Sequence, residues 1–211
     1  MESPSVRIRR ADPSDAPAIA ALHREQIPWG LLSRLGQEFV TAFYTALVAS
    51  PLGFGFVAER DGRVVGFASG VVHWRRFYRE FLRGHLRLAV RAVAVGLRGA
   101  RWRRLLETTR YAASGALPSA ELVAIAVRPE ARGGGVAAGL VAAVLREFSA
   151  RAVAAVRVTA GAENLAARRL YERAGFALHS EAEIHPGEVA AIYVMTLSPR
   201  RTWTASASEA R

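Results

Sequence analysis

Apolar residues recur along this chain with two different periods, and each period predicts a different kind of element. Spacing of three to four residues is typical of one face of a helix, and it occurs at residues 16–24, 35–50, 136–150 and 165–174. Alternation and short apolar runs predict strands at residues 6–9, 54–59, 63–72, 122–127, 153–159, 177–183 and 189–197. Because the helices are intermixed with a mostly consecutive set of strands, the pattern predicts an α/β layer fold.

The dipeptide Asp61-Gly62 separates two of these predicted strands. Aspartate and glycine both tolerate the left-handed backbone that a tight two-residue turn requires. Residues 56–70 are therefore predicted to form a β-hairpin.

Three consecutive glycines, Gly133 to Gly135, join the predicted strand at 122–127 to the predicted helix at 136–150. Glycine lets a ligand approach the backbone closely, because it has no Cβ. The first N–H groups of a helix have no partner inside the helix, and they form the positive end of its dipole. The sequence therefore predicts that this turn binds a phosphorylated ligand.

Three kinds of phosphate-binding loop compete for this turn. A Walker loop needs a lysine, and the chain contains none. A dinucleotide fingerprint matches Gly133, Gly135 and Ala138, but the next predicted strand, residues 153–159, ends without the acidic residue that this motif needs. The third pattern is R-x-x-G-x-G/A, which Arg132, Gly135 and Ala137 match.

This third pattern resembles the pyrophosphate loop of the GNAT family of N-acetyltransferases. The segment NLAARRLYERAGF, residues 164–176, has the Asn, Ala, Leu-Tyr-Glu and Gly-Phe that family members commonly show at this spacing. The predicted hairpin at 56–70 also has its counterpart in the family. The resemblance covers residues 6–72 and 119–197, with three motifs in the family's order.

The resemblance implies a mixed, mostly antiparallel central sheet with helices on both faces. In that fold the fourth and fifth strands splay apart, and the arm of acetyl-CoA enters the gap and pairs with the fourth strand. A single acyl-CoA N-acyltransferase domain is expected over residues 1–197, with a basic helical insertion at 73–116. The polar tail, residues 198–211, is expected to be disordered.

The activity implied is transfer of an acetyl group from acetyl-CoA to a primary amine by direct attack in a ternary complex. Tyr171 is expected to protonate the leaving thiolate, and a backbone N–H near Ile125 or Ala126 to stabilise the oxyanion. The residues expected to bind the cofactor are Ile125, Ala126, Val127, Arg132, Gly133, Gly134, Gly135, Val136, Ala137, Asn164, Ala167 and Tyr171. The alternative function is a non-catalytic acyl-CoA-binding module whose basic amphipathic insertion binds a partner or an anionic membrane surface.

Three candidates remain for the base that deprotonates the amine. Glu121 begins the fourth predicted strand, where several family members have a catalytic glutamate. His73 ends the third predicted strand, and a water relay would need no single base. The chain has no cysteine, which excludes thiolate metal sites, and no metal is predicted.

The net charge of +11 is concentrated between residues 73 and 114, where eleven arginines face only two glutamates. Helices are predicted there, with arginines four apart at positions 79, 83, 87 and 91 and a second short helix at 100–109. Four roles of this insertion remain open. It is either a helical flap docked on the sheet with solvated arginines, or a surface that steers an anionic acceptor. The other two roles are contact of residues 74–110 with an anionic membrane surface and formation of a homodimer. Nucleic acid is not favoured, because no base-stacking platform is evident. With no apolar window long enough to span a membrane, a cytoplasmic protein is expected.

Overall fold

The computed structural model describes residues 6–28, 30–86, 88, 117–185 and 188–197. The predicted second helix of the basic insertion, at 100–109, and the predicted disordered tail, at 198–211, lie outside the described residues. The described residues comprise the sheet, the helices that cover it and the first helix of the insertion.

The described part of the chain contains seven strands, six α-helices and two short 3-10 helices, Pro13–Asp15 and Pro129–Ala131. The strands are β1 Arg7–Arg10, β2 Gly53–Arg60, β3 Arg63–Val71, β4 Ala120–Val127, β5 Ala155–Gly161, β6 Ala177–His185 and β7 Glu188–Thr196. The helices are α1 Ala16–Gln26, α2 Leu31–Arg34, α3 Gln37–Ala49, α4 Trp74–Gly84, α5 Val136–Ala150 and α6 Leu165–Arg173. The pattern of apolar residues predicted every strand, whereas α2 is too short to show a helical period.

The strands form one mixed sheet in the order β1-β2-β3-β4-β5-β7-β6. Every neighbouring pair is antiparallel except β4 and β5, which are parallel. The hairpin between β2 and β3 turns at Asp61 and Gly62, whose φ angles of 51° and 73° are both left-handed, as the dipeptide predicted. The predicted mixed, mostly antiparallel sheet is therefore confirmed.

The parallel pairing between β4 and β5 is short. Only Ala120, Glu121 and Leu122 pair with β5, opposite Val156, Arg157 and Val158. Beyond these three positions β4 continues to pair with β3 as far as Val127, and β5 pairs with β7 along its whole length. The two strands are therefore joined at their N-terminal ends and unpaired towards their C-terminal ends.

Each face of the sheet is covered by its own helices. Helices α5 and α6 pack on one face, where Leu140, Val144 and Phe148 of α5 are fully buried. Helices α1, α3 and α4 pack on the other face, with Phe43 of α3 in edge contact with Phe77 and Phe81 of α4. Because apolar side chains alternate between these two cores along the central strands, both faces of the sheet are buried.

A small polar cluster interrupts the core beneath α1 and α3. His23 of α1 is only 4% exposed, and its Nδ1 lies 2.7 Å from the hydroxyl of the fully buried Tyr44 on α3. Phe67 of β3 lies beside both rings. Burial lowers the pKa of His23 from 6.5 to about 4, because the charged imidazolium would lose its hydration.

The buried His23 is expected to make folding sensitive to mild acid. Between pH 6.5 and pH 4 the unfolded chain protonates this side chain while the folded chain does not, so the free energy of unfolding falls as the pH falls through this window. Urea unfolding should therefore lose about 2 to 3 kcal/mol between pH 7 and pH 4.5 from this group.

The variant His23→Gln, which cannot titrate, should lack that part of the loss. The difference between the two pH profiles isolates His23 from the carboxylates. Parallel profiles for the wild type and His23→Gln would contradict a buried, neutral histidine.

Candidate functional site

The turn after β4 leaves open space above its backbone. Gly133 and Gly135 have left-handed φ angles of 84° and 74°, which favour glycine, whereas Gly134 does not. A Cβ built on any of the three would meet no heavy atom within 4 Å. A ligand can therefore approach this backbone closely.

The N–H groups of the same turn are free to bind a ligand. Gly135 caps α5 without a side-chain hydrogen bond, and no N–H from Gly133 through Ala138 donates to another described residue. The first such bond of the helix runs from Gly139 N–H to the Gly135 carbonyl. Unpaired N–H groups at the positive end of a helix dipole favour an anion, as the sequence predicted.

Arg132 differs from the other residues of the predicted loop. Its backbone N–H already donates to the Pro129 carbonyl, and its guanidinium donates to the Val127 carbonyl at 3.1 Å and to Gln26 Oε1 at 2.7 Å. Next to it, Arg128 forms an ion pair with Glu25 at 3.0 Å. These two arginines hold the end of α1 against the end of β4.

The β4 residues predicted to contact the cofactor lie in the unpaired part of the strand. Ile125, Ala126 and Val127 follow the last β4 position that pairs with β5, and they lead directly towards the glycine turn. One backbone edge of this stretch faces no β5 partner, while the other edge pairs with β3. An extended arm that supplies amide groups would satisfy this edge, as an added strand does in other proteins.

Asn164 lies at the same end of the sheet as the glycine turn. It follows β5, and the C-terminal ends of the parallel strands β4 and β5 point the same way. Its Oδ1 accepts the N–H of Ala167 at 3.1 Å, so that it caps α6. The side chain is exposed, which leaves its amide group accessible.

Tyr171 lies two turns further along α6, about 10 Å from Asn164 at 1.5 Å per residue. It is 4% exposed and packs against Phe176 and Tyr193. Its hydroxyl makes no hydrogen bond with another described residue. Burial raises the pKa of Tyr171 well above its usual range, so the phenol keeps its proton at neutral pH.

Glu121 lies at the opposite, closed end of β4. Its Oε2 accepts two hydrogen bonds from Arg157, from Nη2 at 2.7 Å and from Nε at 3.1 Å, and the two residues face each other in the parallel register. Burial raises the pKa of Glu121, and the charge of Arg157 opposes that rise. Six residues of β4, about 20 Å, separate Glu121 from Val127.

His73 lies near the same closed end as Glu121. It is exposed and precedes the first residue of α4, and the N–H of the following Trp74 donates to the Ser119 carbonyl just before β4. The glycine turn, the end of β4 and Asn164 therefore lie towards the open end, and Tyr171 lies two turns of α6 beyond Asn164. Both side-chain candidates for the base lie at the other end.

The described part of the basic insertion is α4. Its arginines at positions 75, 76, 79 and 83 are exposed, while Phe77 and Phe81 anchor the helix in the core. Trp74, Tyr78 and Leu82 line a groove along another side of the helix. Among the helices of the described residues, none is long and apolar enough to cross a membrane.

Two buried polar residues, Arg157 and His23, were not predicted from the sequence. Arg157 stands between buried valines in β5, a charged residue in an apolar strand that signals a buried partner. His23 occupies a core-facing position of α1, four residues after Ile19 and seven after Ala16. Both signals are visible in the sequence, but the partners, Glu121 and Tyr44, are known only from the fold.

Comparison with known proteins identifies a family whose sequences match this chain. A model of the acetyltransferase (GNAT) family matches residues 17–176 of the chain. Mycothiol acetyltransferase from Streptomyces griseus is 30% identical over 129 residues, which are 61% of this chain and 28% of that protein. The chain thus spans well under two thirds of the length of this curated relative.

Solved structures share the fold. Ribosomal-protein-alanine N-acetyltransferase from Brucella melitensis superposes with a TM-score of 0.60 at 20% identity, over 90% of this chain and 99% of that one. The protein yncA from Salmonella typhimurium, solved with its cofactor acetyl-CoA, gives a TM-score of 0.60 at 17% identity, over 95% of this chain and 98% of that one. At these identities the likeness shows the fold alone.

The ion pair at the closed end of β4 is expected to be a structural requirement. The side chains of Arg157 and Glu121 are only 9% and 17% exposed, so Glu121→Leu would leave a buried guanidinium without a partner. Its cost should be about 2 to 4 kcal/mol in the free energy of unfolding, measured with urea.

The matched control replaces both charges, as Glu121→Leu with Arg157→Met. This double variant should recover most of the lost stability, because no unpaired charge remains. A single variant as stable as the wild type would show that the pair contributes nothing to the fold.

Proposed function

The chain belongs to the GNAT acetyltransferase family, class EC 2.3.1.-, and from that premise we propose that it transfers an acetyl group from acetyl-CoA to a primary amine. One observation carries the proposal: the unpaired edge of β4 leads into a turn whose N–H groups are free. A pantetheine arm needs the first feature and a pyrophosphate needs the second.

The cofactor is proposed to lie along β4 with its pyrophosphate at the glycine turn. N–H groups from Gly133 through Ala137 would bind the phosphate oxygens, while Arg132 positions the turn through its bonds to α1 and β4. Ile125, Ala126 and Val127 would pair with the arm. Asn164, with Ala167 beside it, would bind the arm from the far side of the gap.

The chemistry proposed is direct attack of the amine nitrogen on the thioester carbonyl, with cleavage of the carbon–sulfur bond. A backbone N–H of Ile125 or Ala126 would donate to the developing oxyanion. Tyr171 would give its proton to the leaving thiolate and recover one from solvent. Burial raises the pKa of Tyr171, so the phenol is protonated at neutral pH and has a proton to give.

Proton removal from the attacking ammonium is proposed to run through water towards Glu121. Its Oε2 is occupied by Arg157, while its Oε1 accepts no hydrogen bond from the described residues and can accept one from water. Burial raises the pKa of Glu121, which makes it a better base. His73 stays the alternative at this end of β4.

The acceptor is proposed to be an amine that also has anionic groups. Helix α4 begins beside the N-terminal end of β4 and has four exposed arginines, of which Arg76 pairs with Glu80. The remaining positive charge attracts the opposite charge over a distance. The alternative function, an acyl-CoA-binding module without turnover, predicts CoA binding but no transfer.

Tyr171→Phe tests the proposed acid. Thiol release from acetyl-CoA, measured across a panel of primary amines, should fall about 100-fold in kcat because the thiolate leaves without a proton donor. The affinity for CoA should stay unchanged. Tyr193→Phe, which removes the hydroxyl of the neighbouring ring, is the control and should keep most of the activity. Equal kcat values for Tyr171→Phe and the wild type would remove Tyr171 from the mechanism.

Gly134→Ala tests the proposed pyrophosphate site. Since Gly134 has no left-handed φ and its Cβ would meet open space, the fold should tolerate the methyl group. The same methyl group would occupy the space of a phosphate, so the Kd for CoA, measured by calorimetry, should rise at least tenfold. Gly84→Ala, equally free of contacts on α4, should leave the Kd unchanged. An unchanged Kd for Gly134→Ala would place CoA elsewhere.

A further inference from the structure

The polar cluster under α1 holds two buried atoms without a partner. Among the described residues only three buried side-chain polar atoms lack a hydrogen bond, and two of them are His23 Nε2 and Ser69 Oγ. Tyr44 lies between these residues, with its hydroxyl 2.7 Å from His23 Nδ1 and next to Ser69. Ser69 itself is 2% exposed.

The hydrogen bond with Tyr44 accounts for Nδ1 of His23 but not for Nε2. A buried polar atom without a hydrogen bond costs about 1 to 3 kcal/mol, which a group that pairs with Nε2 would remove. The neighbours of His23 include two aromatic rings, Tyr44 and Phe67, which would accommodate an apolar ring. An unpaired buried Nε2 needs an explanation, and a ligand group that pairs with it would supply one.

The position of His23 relates the cluster to the proposed active site. Its ring lies 6.2 Å from that of Phe67, and Phe67 pairs in register with Ala126 on β4. The Nε2 atom faces the start of α2, because a Cβ built on Gly30 would lie 3.8 Å from it. On α1, Gln26 lies three residues after His23 and accepts a hydrogen bond from Arg132, next to the glycine turn. His23 thus lies between the cofactor strand and the connection from α1 to α2.

We propose that Nε2 of His23 accepts a hydrogen bond from the amine nitrogen of the acceptor substrate, and that Tyr44 positions the ring by accepting the N–H of Nδ1. This inference rests on the proposed function and names the residue that holds the amine. Tyr44 is then a positioning residue. The ligand class is a primary amine.

The electrostatics around His23 suit an uncharged amine. Burial holds the pKa of His23 at about 4, and no charged group among the described residues contributes to that shift. A neutral imidazole can accept an N–H of a primary amine, which a protonated histidine cannot do. The titratable group that contacts the ring is Tyr44. Burial raises the pKa of Tyr44, so this side chain stays neutral as well.

The first test needs only the protein. Nitrogen-15 spectra of labelled histidine distinguish the two neutral tautomers, and the signal of His23 is assigned by its loss in His23→Gln. The proposal predicts a proton on Nδ1, and a loss of this preference in Tyr44→Phe. A proton on Nε2 in the wild type would overturn the proposal.

The second test separates binding of the amine from binding of acetyl-CoA. With the primary amine that gives the highest turnover, His23→Phe should raise the KM for the amine at least tenfold and leave the KM for acetyl-CoA unchanged. His23→Gln, whose Oε1 can replace Nε2 as an acceptor, should recover part of the affinity. Tyr44→Phe should raise the KM for the amine with little change in kcat.

The outcomes distinguish this inference from the proposed function. Turnover in the wild type with the same amine KM in His23→Phe would overturn the role of His23 and leave the acetyltransferase proposal intact. No turnover of any amine by the wild type would overturn both. Unchanged CoA binding in each variant shows that a loss of activity does not come from a loss of fold.

Discussion

The arrangement of the whole site depends on the early end of the pairing between β4 and β5. Three paired positions hold the strands together at one end, and past Leu122 each strand keeps only its other neighbour. Both faces of the sheet are covered by helices, so this gap is enclosed above and below and opens towards the C-terminal ends of the strands. The helices that follow β4 and β5 begin at this open end, and their N-termini favour anions and polar groups there.

The two ends of β4 have different structural roles. At the closed end, the buried pair of Glu121 and Arg157 joins the strands through their side chains as well as their backbones. At the open end, Arg128 and Arg132 tie the strand to α1, which brings the last turn of that helix, with His23, over the middle of the sheet. The position of the glycine turn and the position of His23 are therefore coupled through α1.

Local features of the sequence predicted the local parts of the site. Asp61-Gly62 forms the left-handed hairpin turn, and the glycines at 133–135 form the open turn between a strand and a helix. Contacts between distant residues were not predictable in this way. Glu121 and Arg157 are 36 positions apart, and His23 and Tyr44 are 21 apart, so each pair is defined only when the sheet and its covering helices are assembled.

The proposed function requires the cofactor arm to bind along the unpaired edge of β4. Hydrogen exchange of the backbone amides, followed with and without CoA, tests it most directly. We expect CoA to slow exchange in residues 123–127 and in the glycine turn at 133–137, while the amides of β5 that already pair with β7 change little. Slowed exchange confined to other parts of the chain, with no change along β4, would contradict it.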